Sequence, residues 1–328
     1  MPVTRNFLLK PTDPLLTAFQ RVSANGEGFA AVVDDDRKLL GTFCDADGRH
    51  ALLEGVSLGA PISDVMVSKT AKLSRLPGAF VLEKNEPVDV VKRERPPIDA
   101  VVMAGGKGTR LRSVTGNVPK PLLSLGASTI LERILANMAS AGVSDVWLSV
   151  NYRAASFKKK IGDGSKLGLN VEYLDEDEPL GNAGALSMLP RKGANQVFIT
   201  NADLITGVDY ARMFDFHRSH DAPITMAAAR FVTKLKYGVV HTRKGVVDSM
   251  DEKPELEFLC NAGMYIVDRA ALKLVPKKKF FQMPDLIDAV QRRSEDVRVF
   301  PLWEKWVDAG SPEEFQQVLI EFATGVES

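Results

Sequence analysis

The sequence predicts an α/β fold, a mostly parallel sheet flanked by helices with an antiparallel insert, preceded by a small α+β domain. Three observations lead there. From residue 99 onward, short apolar runs alternate with amphipathic stretches of helical period, the pattern of a parallel sheet covered on both faces. Between 237 and 267 the pattern changes to closely spaced short strands. Before residue 99 comes KRERPPID (92–99), where Pro96-Pro97 can neither continue a helix nor sit in a central strand. That tract divides the chain into units 1–97 and 98–328.

Each element has its own local reason. In the first unit, DPLLTAFQRVSANGEG (13–28) reads as a short helix with Asp13 near its N-cap. Leu15, Leu16, Ala18, Phe19 and Val22 fit a 3.6-residue period, and Asn25-Gly26 ends it. Strands FAAVVD (29–34) and LLGTFC (39–44) follow around the DDRK turn, then a helix starting near Asp47. The tract FVLEKNEPVDVVKRE (80–94) reads as a hairpin turning at Lys84-Asn85-Glu86-Pro87. In the second unit the expected strands are AVVMA (100–104), DVWLSV (145–150), LNVEYL (169–174), QVFITNA (196–202) and PITMAAARF (223–231). Helices are expected near 128–141, 154–161, 182–189, 208–219, 268–275, 284–293 and 311–323. The short strands between 237 and 267 are expected as an insert on the edge of the main sheet.

Composition narrows the function. The 328 residues carry 42 Lys plus Arg and 42 Asp plus Glu, with neither the basic excess nor the basic stripe of a nucleic-acid binder. No run approaches the roughly 18 apolar residues of a membrane span, and the start MPVTRNFLLKPTDPLL has no long apolar region of a secretion signal. Two cysteines, Cys44 and Cys260, are too few for a disulfide scaffold or a thiolate zinc cluster. A cytoplasmic enzyme or binding module is the expectation, with no nucleic acid and no membrane.

The chemistry concentrates in MAGGKGTRLRSVTGNVPKPLL (103–123), which begins where the first strand of the second unit ends. In an open α/β sheet, ligands bind outside the carboxyl ends of strands. Gly105, Gly106 and Gly108 let backbone N–H groups approach a phosphate with no Cβ in the way, and Lys107, Arg110 and Lys120 can neutralise a triphosphate. The tract is not a Walker A loop, which needs Gly-Lys-Ser/Thr after a four-residue gap. Nor is it a dinucleotide fingerprint, since Leu111 stands where the third glycine belongs.

Gly105-Gly106-Lys107-Gly108-Thr109-Arg110-Leu111 followed by Lys120-Pro121-Leu122 resembles the signature of the sugar-1-phosphate nucleotidyltransferases, and the resemblance runs through residues 99–325. Pro179-Leu180-Gly181-Asn182-Ala183-Gly184-Ala185 resembles the base- and sugar-contacting loop in the form common among mannose-1-phosphate guanylyltransferases. Asn201-Ala202-Asp203 resembles the segment of the first metal-binding Asp, and Trp306-Val307-Asp308-Ala309-Gly310-Ser311-Pro312 that of the second. Glu252-Lys253-Pro254 and Asn261-Ala262-Gly263-Met264-Tyr265 resemble the sugar-contacting segments. The resemblance implies a Rossmann-like nucleotidyltransferase fold and a Mg²⁺-dependent transfer from an NTP, GTP favoured, to a sugar-1-phosphate. It assigns catalysis to Arg110, Lys120, Asp203, Lys253 and Asp308, with Mg²⁺ on Asp203 and Asp308. It assigns nucleotide binding to Ala104, Gly105, Gly106, Lys107, Gly108, Thr109, Gly181 and Asn182, and sugar-phosphate binding to Gly184, Glu252, Lys253, Asn261 and Gly263.

Physical chemistry points the same way. A phosphate oxygen attacking an α-phosphorus joins two anions, so cations matter more than a base. Mg²⁺ held by one or two carboxylates plus substrate phosphates suits this, with positioning and charge neutralisation supplying most of the rate. Other charged groups have ordinary readings: DEDE (175–178) as a solvated loop, the lysine triplets 158–160 and 277–279 as exposed faces, the histidines as structural. A non-catalytic sensor on the same fold, and a uridylyl-, thymidylyl- or adenylyltransferase, stay open.

The tract 8–55, above all Gly41-Thr42-Phe43-Cys44-Asp45-Ala46-Asp47-Gly48-Arg49-His50, resembles a CBS repeat. In that family a Thr or Ser and an Asp often bind an adenosine ribose; Asp47 matches, and Cys44 stands at the hydroxyl position. Residues 61–95 are too short for a full second repeat and are expected as a shortened one, which makes 1–97 a CBS-like regulatory or dimerisation unit. A lone repeat leaves an apolar sheet face, so pairing of two chains into a homodimer is expected. A CBS-like module before such a core also resembles guanylyltransferases of bacterial nonulosonic-acid pathways, implying a role in surface-glycan precursors.

Overall fold

A computed structural model describes residues 1–68, 78–92, 94–106 and 118–308. Arg110, Lys107, Gly108, Thr109 and the expected helix 311–323 lie outside them.

The N-terminal residues form a four-stranded sheet ordered β1 (Leu8–Leu9), β2 (Phe29–Val33), β3 (Leu39–Cys44), β4 (Val67–Ser68), with helices α1 (Leu15–Ala24) and α2 (Asp45–Leu53). Every residue of β2 is buried, so both sheet faces are covered. One face packs on α1 through Leu15, Phe19, Val32 and Phe43. The other meets the hairpin of β5 (Gly78–Glu83) and β6 (Glu86–Lys92) through Phe80 and Val90. Lys84 and Asn85 make its turn with φ of 47° and 69°, the geometry that matches the strands' twist. The apolar face expected to need a second chain is therefore covered by the chain itself.

Among the described residues the main sheet has seven strands, ordered β11 (Asn170–Asp175), β10 (Asp145–Val150), β7 (Asp99–Met103), β12 (Gln196–Asn201), β17 (Glu255–Asp268), β14 (Ile224–Lys234), β18 (Val297–Leu302). Six run the same way, and β17 is antiparallel to both its neighbours. This corrects the expected edge insert. Only the hairpin of β15 (Val239–Arg243) and β16 (Val246–Asp251) stands apart, while β17 enters the middle of the sheet. Its second half, Ala262–Val267, is uninterruptedly apolar and buried, as a strand covered on both faces must be. The edge strand β18 was not foreseen.

Helices α3 (Ile130–Ser140), α4 (Ala154–Ile161) and α6 (Tyr210–Arg218) bury one face of the sheet; α5 (Gly181–Gly184) and α7 (Met283–Gln291) bury the other. Thr129 caps α3 with a reciprocal Glu132 bond, the carboxylate accepting from the Thr129 N–H at 2.7 Å, which fixes where that helix begins. The helix expected at 182–189 breaks into α5 and a 3-10 turn at Ala185–Met188, and that expected at 268–275 is a 3-10 turn at Ala271–Leu274.

The N-terminal module docks on the β18 edge. Arg49 on α2 is fully buried there, bonded to Asp45 at 2.6 Å, Glu304 at 2.5 Å and the Pro301 carbonyl at 2.7 Å. Its guanidinium lies 3.8 Å from the Phe300 ring centre. Burial opposes this charge, but the two carboxylates outweigh it and hold the guanidinium more firmly protonated than usual.

Candidate active site

The carboxyl ends of β7, β10, β11 and β12 share one edge of the sheet, and the chain leaves β7 there as Ala104-Gly105-Gly106. The Ala104 N–H donates to the Ser149 carbonyl at 2.9 Å, continuing the sheet by one bond. Gly105 is then pressed against Glu176: an added Cβ would lie 2.9 Å from its Oε1. Glu176 is itself fixed, accepting from the Ser149 hydroxyl and from the Leu180 N–H at 2.8 Å, while Asn151 donates to its carbonyl at 2.6 Å. The solvated-loop reading of DEDE thus fails at Glu176, the acid that sets the floor of the glycine turn. Its place directly after β11 was the available signal, since that is a strand's carboxyl end.

Lys120 and Asp203, far apart in sequence, meet. Lys120 sits in the 3-10 turn Lys120–Leu122, and Asp203 follows β12. The Lys120 Nζ donates to Asp203 Oδ2 at 2.7 Å, with the lysine side chain 6% exposed and the aspartate 33%. Immediately beyond, β13 (Leu204–Thr206) pairs antiparallel with β19 (Trp306–Asp308), Leu204 opposite Asp308. The fold therefore sets the backbone of Asp308 one residue from Asp203 across a two-stranded ladder. Trp306 steadies β19 by donating to the Ala262 carbonyl at 2.9 Å.

That bond leads to the Asn261–Gly263 segment. Here β17 bulges against β14, pairing Tyr265 with Met226 and then Asn261 with Ala228. Gly263 takes φ of 73°, and a Cβ there would fall 2.6 Å from Asn201 Nδ2. Asn261 accepts from the Gly263 N–H at 2.9 Å and donates to the Tyr265 hydroxyl at 2.6 Å. Burial pushes the Tyr265 phenol up, partly offset by that bond. Asn261 thus shapes the bulge with both ends of its amide.

The Gly181–Gly184 loop has a packing role the sequence did not reveal. A Cβ on Gly181, where φ is 78°, would meet the Phe281 carbonyl at 2.5 Å, and one on Gly184 would meet the Lys279 carbonyl at 2.4 Å. The Ala183 and Gly184 N–H groups both donate to the Phe281 carbonyl, and Asn182 accepts from the Met283 N–H at 2.8 Å. These residues fasten segment 279–283 to the sheet. Glu252 and Lys253 form the exposed turn between β16 and β17, their charges 3.9 Å apart and both more than half exposed. Among the described residues, neither makes an ion pair with Lys120 or Asp203.

Asp203 is a hard oxygen donor of the kind Mg²⁺ takes together with waters and phosphates, and the backbone of Asp308 lies beside it across the β13–β19 ladder. No group of three or more His, Cys, Asp or Glu suited to a metal occurs among the described residues. No described helix is long and apolar enough to cross a membrane.

The chain matches the Nucleotidyl transferase family over residues 99–324. It is 31% identical over 237 residues to a mannose-1-phosphate guanylyltransferase of Mycobacterium tuberculosis, covering 70% of this chain and 66% of that one. To the mannose-1-phosphate guanyltransferase of Saccharomyces cerevisiae it is 33% identical over 229 residues, covering 66% and 62%. It thus spans slightly less than two thirds of the length of these relatives. Among solved structures it is similar to HddC from Yersinia pseudotuberculosis, with TM-score 0.54 and 25% identity over 68% of this chain and 99% of that one. It shares its fold with a putative glucose-1-phosphate thymidylyltransferase from Bacillus anthracis, TM-score 0.55 at 17% identity, covering 68% and 94%. With the glycine turn at the end of β7 and the Lys120–Asp203 pair at the end of β12, these matches make the chain a member of the nucleotidyl transferase family.

Proposed function

We propose that this protein transfers a nucleotidyl group from an NTP, GTP favoured, to a sugar-1-phosphate and releases pyrophosphate. The observation that carries the reading is the Lys120–Asp203 pair at the carboxyl edge of the sheet, with β19 bringing Asp308 alongside. The attacking sugar phosphate and the α-phosphate repel, so the site must place positive charge between them and hold both in line. Mg²⁺ bound by Asp203 and Asp308 would neutralise phosphate charge there. Lys120 orients Asp203 through their 2.7 Å ion pair and supplies a cation of its own beside the nucleotide phosphates.

Gly105 and Gly106 give the phosphates backbone N–H groups directly after Ala104, whose own N–H is held by the sheet, and Lys107, Gly108, Thr109 and Arg110 continue the nucleotide-binding tract. Gly181 and Asn182 bound the nucleotide side; Gly184, Glu252, Lys253, Asn261 and Gly263 bound the sugar-phosphate side, Lys253 taking the phosphate. No covalent nucleophile is needed. The preference for GTP rests on the mannose-1-phosphate guanylyltransferases among the relatives, and a place in surface-glycan precursor synthesis follows from that class of product. Residues 1–97 form a separate regulatory or packing unit in this reading.

The test is pyrophosphate release with Mg²⁺, pairing GTP, UTP, dTTP, CTP and ATP with mannose-, glucose-, glucosamine- and N-acetylglucosamine-1-phosphate. Turnover confined to GTP supports the full reading, and turnover with another base keeps the class and corrects the nucleotide. Silence throughout, with tight nucleotide binding, favours a non-catalytic sensor.

A further inference from the structure

The N-terminal module touches the core along α6, where Arg212 donates to the Gly26 carbonyl at 2.5 Å and His50 packs on Phe216, and also at the segment that leads into the candidate site. Three contacts hold Pro301–Glu304 from the module's side. Arg49 donates to the Pro301 carbonyl at 2.7 Å and pairs with Glu304 at 2.5 Å, and Phe19 stacks on Trp303 with ring centres 5.2 Å apart and planes at 18°. On the other side the chain is held by β13. The Lys305 carbonyl accepts from the Gly207 N–H and the Thr206 hydroxyl, each at 3.1 Å, and the β13–β19 ladder runs from there to Leu204 opposite Asp308. Only three residues separate Glu304 from Asp308, and β19 begins two residues after Glu304, so a shift at Glu304 is passed directly into that strand.

We infer that Arg49 is a positioning residue: through Glu304 and the Pro301 carbonyl it sets the register of β19, and thereby the placing of Asp308 beside Asp203. The inference rests on the nucleotidyltransferase reading for its consequence in catalysis, but the positioning itself is a property of the backbone. Arg49 suits the task because its planar guanidinium serves Asp45, Glu304 and a carbonyl at once. A lysine ammonium at the same place cannot span all three. Its burial between Phe300 and the two carboxylates means the module cannot slide without breaking these bonds together.

Glu304→Gln and Arg49→Lys in the full chain test this. The first readout is amide hydrogen exchange, which needs no substrate. Segments 204–208 and 304–308 are expected to exchange at least tenfold faster in both variants, while α3 at 130–140 keeps the parent rate. The second is Mn²⁺ affinity by electron paramagnetic resonance, expected to weaken about tenfold, with the metal concentration for half-maximal turnover rising in step and the nucleotide KM moving less than twofold. Should Arg49→Lys fail to fold, Glu304→Gln, which keeps shape and one hydrogen bond, decides. Unchanged exchange at the two segments in a folded Glu304→Gln protein overturns the inference. Failure of the nucleotidyltransferase reading looks different: the parent shows no turnover, and the exchange difference persists.

Discussion

Asp203→Asn removes one charge and almost no volume, so it separates what the Lys120–Asp203 pair does for folding from what it does for chemistry. At the 2.7 Å separation of this pair, two unit charges interact by about 6 kcal/mol at an effective dielectric of about 20. Much of that is cancelled by the cost of taking both groups out of water. Removing one partner of a fully buried pair costs about 3–5 kcal/mol. Here the aspartate keeps 33% of its exposure and the lysine 6%, so water screens part of the loss and about 2–3 kcal/mol is the reasonable figure. At about 2–4 °C per kcal/mol for a unit of this size, the variant should melt about 5–10 °C lower. Turnover should fall much further, on the order of 10²–10³-fold, as when one electrostatic contact to a transition state is removed. Adding Lys120→Met distinguishes the two effects. With both charges gone, the double variant should recover most of the lost stability, giving a coupling of about 1–3 kcal/mol, yet recover no activity. Thermal melting and pyrophosphate release on the two single variants and the double complete the cycle. A double variant that regains both stability and turnover would refute the argument, because the pair would then be a structural ion pair and nothing more.

Three further outcomes follow from particular contacts. Gly184→Ala would ordinarily favour a helical position, but the added Cβ would sit 2.4 Å from the Lys279 carbonyl; we expect an overpacking loss of about 1–3 kcal/mol in chemical denaturation, and a stabilised variant would show that segment 279–283 is not held as described. Gly105→Ala pushes on Glu176, whose carboxylate is already engaged by Ser149 and the Leu180 N–H; nucleotide affinity measured by calorimetry should fall about tenfold, about 1.4 kcal/mol, with melting nearly unchanged. Burial first, and then the neighbouring His217, Arg298 and His50, hold His220 down at about 4 against an ordinary 6.5, with Asp221 opposing. The unfolded chain therefore binds a proton there that the folded protein refuses, so this contribution to stability is whole above pH 6.5 and is lost as pH falls towards 4. His220→Gln should flatten the melting temperature over that window, and an unchanged slope would remove His220 from the account.

Legibility in the sequence followed the range of the interactions. Strand β10 and helix α4 fell where local pattern placed them, because burial on both faces or on one stripe leaves a period that one segment displays alone. Lys120, Asp203 and the glycines were legible as residue types that phosphate chemistry needs, and the fold does bring Lys120 to Asp203. What stayed hidden depends on two segments meeting. The place of β17 in the sheet is set by pairing with β12 and β14, and nothing within Glu255–Asp268 says whether it lies at an edge or a centre. Glu176 looked like one acid among four, and only the approach of Gly105 singles it out. The glycines at 181 and 184 were read as ligand-facing, yet the carbonyls of residues 279 and 281 give each a reason to lack a side chain even with no ligand bound. The N-terminal unit carries this furthest. Its sheet face seemed to call for a second chain, and the hairpin of β5 and β6 covers it instead through Phe80 and Val90. The module meets the core through α2, through Phe19 of α1 and through the turn at Gly26, and Arg49 of α2 is the charge buried among these contacts. A buried arginine with two carboxylates is a poor source of net stability beside an apolar replacement, so its geometric exactness calls for another reason. Holding the segment that leads into β19, and so the backbone of Asp308 beside Asp203, is such a reason.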